Sequence, residues 1–154
     1  LDPTSGSYLY YGGILSEEVM RALTRESSNP IAAVEVLAVW AAFELWGEAL
    51  HGRAVLTFVD NDSAKHALVK GASPIADMAA VVDAACGLEI RHRLLCYFER
   101  VPSSSNIADD PSRGVTPARL CAFGTPILNS CSCLGAIPAS GLFLQGGIRD
   151  RSMV

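Results

Sequence analysis

Glu35, Asp60 and Asp109 stand where a carboxylate could do chemistry. Asp60 closes the run Ala54-Val-Leu-Thr-Phe-Val59, in which five of six residues are apolar. A strand exposed on one face would alternate, so this run predicts a strand buried on both faces, with Asp60 at its carboxyl end. Ligands of open α/β sheets gather at that end; the plainer role for one strand-end Asp is to form a turn. Glu35 follows Asn29-Pro30, a helix start with Asn as N-cap and Pro at the first position. At about 100° per residue, Glu35 falls among Ile31, Ala38, Ala42 and Trp46, with Glu44 and Glu48 on the opposite, solvated face. Burying an unpaired carboxylate is costly, so Glu35 reads as functional or metal-bound, although most helical Glu residues are simply solvated. Asp109 lies in Ser103-Ser-Ser-Asn106-Ile-Ala-Asp109-Asp-Pro-Ser-Arg113, which taken alone is a polar loop.

The elements that must position these acids follow from local signals. Tyr8 to Leu15 has strand composition, and Val19 to Thr24 is expected to return beside it as a hairpin. The helix from Asn29-Pro30 runs to Trp46 or Leu50 and ends at His51-Gly52. Asp62 or Ser63 caps a short helix through Lys70, closed by Gly71. Ser73-Pro74 starts another helix with the stripe Ile75, Met78, Ala79, Val82 and Cys86; it ends at Gly87 or continues through Leu88 to Arg93. Leu94 to Val101 is a last strand, stopped by Pro102. Asn106 caps the turn that carries Asp109. The order suggests an α/β domain, a mixed sheet with helices packed on it. From Val115 neither helical nor strand period persists, so residues 115–154 read as a poorly ordered tail and residues 1–114 as the domain.

Composition narrows the function classes. The 154 residues are half hydrophobic and 18% charged, which argues against wholesale disorder. The net charge is −4, and no basic face is visible that would hold nucleic acid by electrostatics alone. Arg91, His92, Arg93 and Arg100 form the one local basic cluster and read as solvated surface. Five cysteines without a CxxC pair fit reduced thiols in an intracellular protein better than a disulfide framework or a zinc site at Cys131-Ser-Cys133. No run of eighteen apolar residues predicts a membrane span, and no signal peptide opens the chain. The chain reads as a piece of a longer protein.

Phe58-Val-Asp60-Asn61, followed by Arg100-Val-Pro-Ser103 and Asn106-Ile-Ala-Asp109-Asp-Pro-Ser-Arg113, resembles the ribonuclease H domain of retroelement polyproteins, particularly DIRS-like elements. The resemblance covers residues 2 to 114. It implies a five-stranded mixed sheet flanked by helices, three antiparallel strands followed by two parallel to the first. The first strand would be truncated here to Leu1 before Asp2, with Pro3 where the family has a small residue. It also implies a catalytic and metal-binding set of Asp2, Glu35, Asp60 and Asp109, and contacts to substrate from Asn61, Ser103, Asn106 and Arg113. Four carboxylates in one pocket repel unless cations neutralise them. Two Mg²⁺ or Mn²⁺ ions about 3.5–4 Å apart would do so and would support in-line phosphoryl transfer.

The function implied is cleavage of the RNA strand of RNA–DNA hybrids, beside a reverse transcriptase domain lying upstream in the parent polyprotein. The alternatives are a catalytically degenerate remnant serving as a structural or nucleic-acid-binding module, and a DNA-cutting enzyme of the same broad fold.

Overall fold

In the computed structural model, residues 13–25, 29–106, 108–109 and 144–146 are described. They form an α/β arrangement in two compact units, one of residues 1–19 and 107–154, the other of Met20–Asn106.

In the first unit, strand β1 (Gly13–Leu15) pairs antiparallel with β4 (Leu144–Gly146), Ile14 facing Gln145. β4 comes from the segment expected as a tail. The hairpin expected from Val19 to Thr24 is replaced by a helix, α1 (Glu17–Leu23), which straddles the division between the units. Local signals fit the helix: Ser16 Oγ accepts from the Val19 backbone N–H at 3.3 Å, and Glu17 and Glu18 occupy the electropositive first turn.

The second unit is built on helix α2 (Ile31–Leu50). Asn29 Oδ1 accepts from the Ile31 N–H at 3.2 Å, but Pro30 takes the N-cap position and the helix begins at Ile31, one residue later than the expected Asn cap with Pro at the first helical position. Ala33, Val36, Leu37, Trp40, Phe43 and Gly47 are buried, and α2 packs mainly along α4 (Ala76–Arg91). This corrects the expected face. Ile31 is 57% exposed, Ala38 is exposed and Glu35 is half-buried, so the stripe around Glu35 is not the core stripe. A helix apolar nearly all round gives sequence periodicity little to choose between. Glu44 and Glu48 are exposed, as expected.

Strand β2 (Ala54–Val59) pairs parallel with β3 (Leu95–Arg100), Val59 opposite Arg100. The crossover between them carries α3 (Asp62–Lys70) and α4, as parallel strands require. The start of α4 departs from expectation, and its end takes the longer of the two expected courses. Its first turn begins at Ala76, with Ser73 Oγ accepting from the Ile75 N–H at 3.1 Å, and it continues through Gly87 to Arg91. Arg93 then turns the chain at φ 53°, and the Gly52 N–H bonds the His92 carbonyl at 2.9 Å. The Leu95 N–H reaches the Arg53 carbonyl at 3.0 Å and starts the parallel ladder.

The expected burial of β2 on both faces is not found. Val59 is buried, yet Leu56 and Phe58 are more than half exposed, and Leu95 and Tyr97 of β3 are exposed on the same face. The sequence run reflects the apolarity of both faces, and among the described residues helices pack on only one of them. His92, expected on the surface, is buried with its ring against Gly47 of α2. Among the described residues no helix is long and apolar enough to cross a membrane.

Candidate functional site

The carboxyl ends of β2 and β3 converge on Asp60. β2 delivers Asp60 half-buried just beyond Val59. Asn61 follows in extended conformation and caps α3, its Oδ1 accepting from the Ala64 N–H at 3.1 Å. The expected cap was Asp62 or Ser63; Asn61 takes the place because its φ of −106° and ψ of 119° are the non-helical geometry an N-cap needs. Gly71 closes α3 at φ 63°, its N–H reaching the Ala67 and Leu68 carbonyls.

The parallel register then brings the last loop to the same place. The Val101 N–H bonds the Val59 carbonyl at 2.9 Å, and Pro102, which has no N–H, ends the ladder. Ser103–Ser105 forms one 3-10 turn, held by Ser105 N–H to Pro102 O at 2.8 Å and Asn106 N–H to Ser103 O at 3.2 Å. That turn directs Asn106 back to β2, where its Nδ2 donates to Asp60 Oδ2 at 3.4 Å.

Two ion pairs tie α3 to the end of β3. Lys65 Nζ meets Glu99 Oε1, and Arg100 Nε lies 3.2 Å from Asp62 Oδ1. The hydrogen bond from Lys65, the Arg100 backbone N–H at 2.8 Å and the Lys65 charge hold the Glu99 carboxyl below its ordinary range. Sequence reasoning missed this charged frame, although Asp62 and Lys65 share one face of α3 three residues apart and Glu99-Arg100 ends β3.

The expected site residues are not all brought together. Asp60, Asn61, Ser103 and Asn106 share the strand-end region, Ser103 exposed in the turn. Asn61 acts as a helix cap. Glu35 stands in the second turn of α2, half-buried, and Asp109 belongs to the other unit. Asp2 and Arg113 lie outside the described residues. Among the described residues no three His, Cys, Asp or Glu side chains form a group able to hold a metal ion. The carboxylate oxygens of Asp60 and Glu35 have the hard donor chemistry that Mg²⁺ or Mn²⁺ takes, but these residues alone do not complete a two-ion centre.

The described cysteines offer no competing site. Burial, then the charge and hydrogen bond of Glu89, push the Cys96 thiol up to about 12, and burial raises Cys86, so neither is poised as a thiolate nucleophile. No family model, curated protein or solved structure matches the chain.

Proposed function

We propose that this chain is the ribonuclease H part of a retroelement reverse transcriptase protein, with a five-stranded sheet of that fold, and that it hydrolyses the RNA strand of RNA–DNA hybrids. The observation that carries the reading is the approach of Asn106 to Asp60 at the carboxyl end of a parallel strand pair. It joins the two stretches, Phe58-Val-Asp60-Asn61 and Arg100-Val-Pro-Ser103 through Asn106, on which the resemblance rests.

In this reading Asp60, Glu35, Asp109 and Asp2 hold divalent ions as carboxylate ligands. Such ions, when bound, supply an activated water and stabilise the leaving oxygen of phosphoryl transfer. The residues of the chain do the rest: Asp60 presents its carboxylate from the rigid end of β2, and α3, capped by Asn61, fixes the chain direction just beyond it. The 2′-hydroxyls and the A-like groove of the hybrid are what mark the RNA strand for cutting.

A Mg²⁺- or Mn²⁺-dependent cleavage assay on a labelled hybrid tests this, with duplex DNA and duplex RNA as parallel substrates. Cutting of the hybrid's RNA strand is expected, falling to background in Asp60→Asn and unchanged in Glu44→Gln on the exposed face of α2. Unchanged cutting in Asp60→Asn removes Asp60 from the site. Hybrid binding without cutting moves the chain to the non-catalytic alternative, and preferential cutting of duplex DNA to a transposase-like one.

A further inference from the structure

We propose that Asn106 acts on Asp60 and not on the substrate: its side-chain amide is the positioning donor that fixes the Asp60 carboxylate. This rests on the metal-dependent reading above and departs from the substrate contact that the resemblance implies for Asn106.

The residues reach this arrangement by construction. Asn106 and Asp60 are far apart in sequence, and the ladder from Leu95 to Val101, the stop at Pro102 and one 3-10 turn bring them together. Among the described residues, the cations Arg100 and Lys65 beside the strand end pair with other acids, Arg100 with Asp62 and Lys65 with Glu99. The hydrogen bond to Asp60 Oδ2 thus comes from a neutral amide. A neutral donor orients a carboxylate without cancelling the charge that a cation needs. With Oδ2 held, Oδ1 points in a set direction, and direction matters because a ligand misplaced by about 1 Å can cost on the order of 10²-fold in rate.

Two measurements on the full chain test the proposal. In ¹⁵N-labelled protein, the Asn106 side-chain amide protons are expected to move upfield in Asp60→Asn and to stay in place in Glu44→Gln. An unmoved Asn106 amide in Asp60→Asn overturns the proposal without reference to activity. In kinetics, Asn106→Ala is expected to lower kcat by about 10- to 100-fold, to leave KM for the hybrid unchanged and to raise the Mn²⁺ concentration giving half-maximal binding. A rise in KM alone, at saturating Mn²⁺, returns Asn106 to the substrate and overturns the proposal. If the native chain cuts no hybrid, the functional reading fails, while the amide response and weaker Mn²⁺ binding by Asn106→Ala still decide the role of Asn106. Should Asn106→Ala not fold, the Asp60→Asn spectrum decides alone.

Discussion

Glu99 shows how one side chain near the site ties stability to acidity. Its carboxyl is held below its ordinary range by Lys65 and the Arg100 N–H. The stabilisation from a lowered carboxyl is present above the ordinary glutamate range and is lost as pH falls through the folded value. Both partners are partly exposed, so the effect is small. The melting midpoint of Glu99→Gln is therefore expected slightly below that of the native chain at neutral pH, and the gap should close in acid. A gap that widens in acid would mean the pair does not hold in solution. Asn61 gives the complementary lesson. Its type is equally suited to capping a helix and to touching a ligand, and sequence offers no means of choosing. The backbone geometry and the bond to the Ala64 N–H establish the cap, a role that does not bar a ligand contact from the same side chain.

Among elements, those with a punctuating residue at each end were legible. Asn29-Pro30 and His51-Gly52 bracket α2, Gly71 ends α3, and Pro102 ends the ladder of β3. Such marks did not suffice everywhere: α4 starts past Ser73-Pro74 and runs on through Gly87. Val19 to Thr24 suits a strand or a helix, and the helix found there is capped by Ser16 and buries Val19 and Leu23. The burial of β2 was misread because apolarity records what a face could bury, not what covers it. The packing of α2 on α4 is also invisible in sequence, since Gly47 and His92 meet only in the fold. A Cβ on Gly47 would lie 2.4 Å from His92 Cδ2. Ala exceeds Gly in helix propensity by about 1 kcal/mol, yet the overlap must force the buried ring or α4 aside, a cost of about 1–3 kcal/mol. Gly47→Ala is accordingly expected to lower the melting midpoint, and adding His92→Ala should recover part of the loss. A midpoint raised by Gly47→Ala alone would show that the ring moves freely.

At the scale of the molecule, the buried apolar residues from Ala33 to Phe98 belong to the Met20–Asn106 unit. Among the described residues, that unit therefore carries a buried apolar cluster of its own. A chain ending at residue 119 is expected to keep a cooperative thermal melt by circular dichroism, although it loses the β1–β4 pairing. A broad, non-cooperative melt would place a necessary part of the core in the removed segment.

The parallel register of β2 and β3 also has a consequence in time. Helices α3 and α4 draw on contacts between residues near one another in sequence, whereas Val59 and Arg100 become neighbours only after the whole crossover has closed. Contacts of high sequence separation carry the loop-closure entropy that slows folding. Asp60 and Asn106 are joined by that same closure, so their hydrogen bond belongs to the late events of refolding. In a refolding experiment, far-ultraviolet ellipticity is expected to recover before the native Asn106 amide signal appears. Simultaneous recovery would mean that strand pairing nucleates the unit. A newly made chain with its helices formed would then still lack its proposed activity until the last strand had docked.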